Sequence, residues 1–88
     1  MNVVATVTDD GTGNRWLASV VWSNGIGTPR RADEGGTHDG GNAFRLCALE
    51  AEERALRVVG GDASRVSRIG YTLEDADRAR ALVRQAGR

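Results

Sequence analysis

Two β-branched stretches, Val3-Val4-Ala5-Thr6-Val7-Thr8 and Arg15 to Trp22, flank the run Asp9-Asp10-Gly11-Thr12-Gly13-Asn14. Branched side chains favour the pleated backbone and the six residues between them are turn formers, so the chain is constrained to begin as an antiparallel hairpin. On the second strand Trp16, Ala18, Val20 and Trp22 share one face, which reads as core-directed. Leu17, Ser19 and Val21 share the other face, expected to be at least half covered.

The punctuation that follows sets the rest of the order. Ser23-Asn24-Gly25-Ile26 carries Asn-Gly, the pair that suits a type I′ turn, so a third antiparallel strand is expected near 26–33. Pro29 and the polar run Arg30-Arg31-Ala32-Asp33 make that strand an edge. Ala43 to Val59 has helical periodicity, with Phe44, Cys47, Ala48, Ala51, Ala55, Val58 and Val59 in one arc widened by Leu49 and Leu56. Asn42 is its expected N-cap and Gly60-Gly61 its terminator, while Glu52 and Glu53 are expected on a solvated helix face. A short strand is expected within 65–71, and Thr72-Leu73-Glu74-Asp75 opens a last helix reaching about Ala86. The predicted class is α/β (α+β), in the order βββαβα: a three-stranded antiparallel meander, a helix, a fourth strand parallel to the first, and a C-terminal helix. Both helices pack on one mixed sheet, because a strand reached through a helix pairs most simply by a right-handed crossover.

Eighty-eight residues make one domain, with a core too small to hide more than roughly 60 to 65% of the unfolded surface. Self-association would help such a chain. Twelve arginines balance twelve carboxylates, which removes the basic excess that phosphate-backbone binding leaves. The absence of lysine points to a GC-rich coding genome, that of a bacterium or its phage. Cys47 is the single cysteine, so no intrachain disulfide or cysteine zinc site can form, and a reducing cytoplasm is the expected compartment. No apolar run approaches a membrane span, and no membrane partner is expected.

The stretch Glu34-Gly35-Gly36-Thr37-His38-Asp39-Gly40-Gly41 breaks all periodicity around the only histidine. His38 with Asp39, and Asp33 or Glu34 beside them, is a weak metal set. The glycines before a helix are a weak anion cradle without the Lys-Ser/Thr of a P-loop. A flexible Gly-rich surface loop over 34–41 is the expectation.

The element order, with Thr8-Asp9-Asp10-Gly11-Thr12-Gly13, the hairpin body from Arg15 to Gly25, Asn42-Ala43-Phe44-Arg45-Leu46 and Ala48-Leu49-Glu50-Ala51, resembles the front two-thirds of the ribonuclease H fold. The resemblance implies two-metal phosphodiester hydrolysis by convergent carboxylates. Here the first acid is Asp9 or Asp10, Arg45 stands where the helix acid is expected, and Tyr71 or Thr72 stands where the fourth-strand acid is expected. The resemblance therefore implies a degenerate scaffold without the catalytic set and without a cofactor.

Three functions follow. The first is a non-catalytic interaction module that binds a protein partner or forms a homodimer. The second is a metal-dependent nuclease using Asp9, Asp10, Glu50 and Glu74 with Mg or Mn. The third is a nucleic-acid-binding module using Trp22, Arg30, Arg31, Arg65 and Arg68. Ser19, Ser23, Ser64 and Ser67 have only His38 as a base, and no spacing brings them together.

Overall fold

A computed structural model describes residues 1–23, 30–33 and 35–86. The first hairpin forms as its sequence dictates, with β1 (Val3–Asp9) antiparallel to β2 (Arg15–Trp22). The register sets Val3 opposite Trp22 and Asp9 opposite Trp16. Side chains alternate, so Val3, Ala5, Val7, Ala18 and Val20 all point to one face and are buried there. The Asn24-Gly25 turn and Pro29 lie outside the described residues.

The third strand comes in two pieces. β3 (Arg31–Asp33) and β4 (Thr37–Asp39) both pair antiparallel with β2, along the same edge, and a register shift falls between Val20 and Val21. The loop expected over 34–41 is thus corrected at Thr37–Asp39, which is strand. The physical reason lies in the glycines. A Cβ at Gly35 would stand 1.2 Å from the Ala18 carbonyl oxygen, and Gly36 passes its carbonyl to the Ala18 N–H at 3.0 Å. Bare backbone is required there because the edge strand runs into its neighbour, which is the close approach that glycine alone permits.

Helix α1 (Ala43–Val58) lies across the buried sheet face and lays Ala43, Cys47, Ala48, Ala51 and Ala55 on it. Asn42 occupies the N-cap position, yet its side chain makes no capping hydrogen bond. At the other end Gly60 and Gly61 take positive φ, and their N–H groups donate to Arg57 O at 3.3 Å and Leu56 O at 2.7 Å, a Schellman closure. A 3-10 turn at Ala63–Arg65 leads into β5 (Val66–Ile69), which pairs parallel with β1. The sheet order is β3-β2-β1-β5, with β4 also on β2, and the fourth strand of the expected meander-and-crossover is therefore β5. The strand expected to reach Tyr71 stops at Ile69, because Gly70 turns to φ +84°, where a Cβ would stand 2.1 Å from the Val7 carbonyl oxygen.

Helix α2 (Leu73–Ala86) begins with a reciprocal capping box. The Asp75 N–H donates to Thr72 Oγ1 at 3.1 Å and the Thr72 N–H donates to Asp75 Oδ2 at 2.8 Å. Glu74 and Arg78 pair at 2.6 Å, one turn apart. The helix buries Ala76 and Ala79 and packs chiefly on α1, so both helices share one side of the sheet. The smallest dimension of the molecule, 18 Å, is that of two layers. No helix among the described residues is long and apolar enough to cross a membrane.

Gly35→Ala is expected to destabilise the fold by about 3 kcal/mol or more, since backbone must move to admit the methyl group. Gly41→Ala, where nothing stands within 4 Å of the new carbon, is expected to stay within about 0.5 kcal/mol of the parent in urea unfolding.

Candidate functional site

Two polar clusters sit between α1 and the sheet. The first is built on the glycine-histidine stretch. Register places His38 opposite Trp16, hence on the helix side, and Asp39 opposite Arg15 on the other side. Strand alternation thus separates the expected His38–Asp39 pair: Asp39 accepts from Arg15 Nε at 2.9 Å, while His38 Nε2 meets Glu50 Oε2 at 3.2 Å. Glu50 projects from α1 and also accepts the Gly36 N–H at 3.0 Å and Arg54 Nη2 at 3.3 Å. Arg54 extends to Asp33 at 3.2 Å, and its Nε is buried without a partner. A cleft of about 270 Å³ opens over this cluster, walled by Leu46 and Leu49 and rimmed by Glu53 and Arg57. Among the residues lining it, Glu50 and Glu53 balance Arg54 and Arg57, so the cleft offers no surplus of positive charge to an anion.

The second cluster is the more deeply buried. Glu52, only 1% exposed, accepts Arg68 Nε at 2.7 Å and Arg68 Nη2 at 2.6 Å, and the Tyr71 hydroxyl donates to it at 2.8 Å. Helical spacing explains the placement: Glu52 stands four residues after Ala48 and three before Ala55, both on the buried arc. The solvated position expected for Glu52 is corrected accordingly, and Glu53 alone is exposed. Burial pushes the Glu52 carboxyl up, but the hydrogen bonds from Arg68 and Tyr71 and the charges of Arg68 and Arg80 outweigh it, so its pKa lies below the ordinary value. Burial, reinforced by Glu52, pushes the Tyr71 phenol up. Burial also pushes the Cys47 thiol up to about 11, which makes it a packed side chain and a poor nucleophile.

The remaining sequence candidates are scattered. Asp9 ends β1 and Asp10 opens the turn after it; Asp9 accepts the Gly11 N–H and Asp10 accepts the Thr12 N–H at 3.0 Å and its hydroxyl at 2.6 Å. Those contacts with Thr12 lower the Asp10 pKa. Glu50 faces β4 and Glu74 pairs on the exposed side of α2, so the four proposed nuclease acids do not converge. Among the described residues no three His, Cys, Asp or Glu side chains are placed to share a metal ion. Arg45 lies in the groove between α1 and α2 beside Leu82 and Val83. Arg30 and Arg31 are at one sheet edge while Arg65 and Arg68 are at or leading into the other, with β2 and β1 between. Arg65 pairs with Asp62 at 3.1 Å. Trp22 is half-buried against the core, and Trp16 stacks edge-on against Phe44 at 5.1 Å. Ser19 bonds Thr6 and Ser64 bonds Asp62; neither approaches His38. Sequence reading missed the roles of Arg54, Glu52 and Tyr71, although the spacing of Glu52 within the alanine arc carried the signal.

Glu52→Ala would leave a guanidinium and a phenol buried without their acceptor, at a cost of about 3–5 kcal/mol. The lowered carboxyl pKa fixes the sign with pH: its contribution is present above the ordinary value of 4.5 and is lost as pH falls through the lower folded value. Unfolding midpoints taken from pH 7 to pH 3 should fall more steeply for the parent than for Glu52→Gln, and parallel curves would contradict this role. A thiol reagent should modify Cys47 only as fast as the chain opens, with the rate rising on addition of urea. No protein-family model, curated protein or solved structure matches this chain, and its function rests on the geometry above.

Proposed function

We propose that this chain is a small non-catalytic interaction module, a degenerate ribonuclease H-like scaffold that docks on protein. One observation carries the reading. The core is made of Val, Ala, Cys47 and Tyr71, whereas the larger aliphatic residues Leu17 and Ile69 are 45% and 59% exposed on the sheet face that no described helix covers. Natural domains of this size have no apolar area to spare, so large aliphatics held outside an alanine-rich core point to a surface that something else covers.

The register defines that face. Val4 lies opposite Val21, Thr6 opposite Ser19 and Ile69, and Thr8 opposite Leu17, which in turn meets Thr37. The strand order, with β5 parallel to β1 beyond a three-stranded meander, supports the ribonuclease H-like reading of the scaffold. The dispersal of Asp9, Asp10, Glu50 and Glu74 weighs against two-metal hydrolysis, which needs carboxylates on cations about 4 Å apart. The placement of the arginines at opposite edges, with Arg68 enclosed by Glu52, weighs against a strip for nucleic acid. A cytoplasmic setting and a bacterial or phage source fit the same reading.

Thermal melts with and without millimolar Mn²⁺ test it. The expected result is no shift, because a native metal site raises the melting temperature by mass action. A rise that disappears in Asp10→Asn or Glu50→Gln, accompanied by cleavage of an RNA–DNA hybrid, would replace this function with the nuclease.

A further inference from the structure

Helix α2 carries an aliphatic stripe that outruns its packing. Ala76 and Ala79 are buried, and Leu82, Val83 and Ala86 continue the same stripe at helical steps onto the surface. Leu82 and Val83 are 43% and 47% exposed. They form one wall of a groove of about 320 Å³, whose other wall is the start of α1 with Arg45 and Leu46. A second hollow of about 300 Å³ shares Arg45 and Leu82 with it and is bordered by Arg78. Among the described residues no acid lines either one. Arg78 is balanced by Glu74 at 2.6 Å, whereas Arg45 has no acidic partner among the described residues. Arg45 also stands in the first turn of α1, which holds no acid, and so meets the positive end of that helix. A cation there works against the helix, and an anion arriving from outside would offset it.

We infer that the groove takes an acidic amphipathic helix of a partner protein, with its apolar stripe between Leu46 and Leu82 and a carboxylate on Arg45. This rests on the interaction-module reading and gives the partner a chemistry, at a surface distinct from the open sheet face. The spacing selects a helix. Ala79, Leu82, Val83 and Ala86 lie three and four residues apart, the rows with which the ridges of another helix interlock, over about 10 Å of α2. The charge selects an acidic one, since Arg45 and Arg78 border the space and no described acid does. It also disfavours a second copy, because about a two-fold axis Arg45 and Arg78 would be brought against their own copies. A contact of about two helical turns is small, so the complex is transient.

The probe is a labelled peptide of about fifteen residues with leucines at i, i+3, i+4 and i+7 and glutamates on its other face, followed by fluorescence anisotropy as the intact chain is added. Saturable binding is expected, with a dissociation constant below about 1 mM that rises with salt. The same peptide with lysine in place of glutamate should bind at least about tenfold more weakly. Arg45→Glu should reverse that preference and, by taking a cation off the positive end of α1, raise the melting temperature by roughly 1–5 °C. An arginine with only a structural role would give neither the reversal nor the gain. Leu82→Asp should weaken the acidic peptide at least about tenfold while the circular dichroism of the chain stays unchanged. No saturable binding at about 1 mM, or a peptide preference that Arg45→Glu leaves as it was, overturns the proposal. Either failure leaves the manganese melt standing, which is the separate test of the underlying function.

Discussion

The buried carboxylate of Glu52 is the constraint on which the assembly of the two layers depends. It comes from the middle of α1, and its three hydrogen bonds reach β5 through Arg68 and the start of the α2 segment through Tyr71. Those are the elements that sequence order brings together last. A lone buried carboxylate is costly, and this one is tolerated only when a guanidinium and a phenol arrive in the right geometry. The pair therefore specifies where β5 and α2 must sit more than it adds to the net free energy. The alanines around it let α1 come close to the sheet and to α2.

Glu50 does similar work at the opposite edge. It gathers His38, Gly36 and Arg54, and through Arg54 it reaches Asp33 on β3. The two acids are two residues apart on one helix and reach opposite borders of the sheet. Helix α1 is thereby anchored on both sides by polar contacts, while its middle rests on small apolar residues.

The hairpin, α1 and α2 were legible because each repeats a pattern long enough to establish its period, and because Gly60-Gly61 and Thr72 mark real boundaries. The two-piece third strand was not. Three residues of β4 carry no readable period, and the glycines ahead of them look like slack when their task is to let two backbones touch. Glu52 is hidden in the sequence for another reason: a charged residue beside another on a helix ordinarily marks a solvated face, and its guanidinium partner lies sixteen residues away, past two turns. The positions of Asp9, Asp10 and Glu50 could be read singly from the chain, but whether they meet depends on strand direction and face, which only the assembled sheet decides. The exposure of Leu17 and Ile69 depends in the same way on which side α1 and α2 choose.

The parallel pairing of β1 with β5 has a consequence for how the chain is made. Val3 to Thr6 leave the ribosome early, but the strand that fills their second side begins at Val66, after the whole meander and α1. Until β5 emerges, β1 is therefore an unfilled sheet border of branched residues, the kind of border that recruits strands from other chains. Its native neighbour closes a loop of some sixty residues at only modest extra entropic cost, yet it must arrive in time. How soon β5 follows α1 into solution thus bears on whether β1 finds its own neighbour or a stranger's.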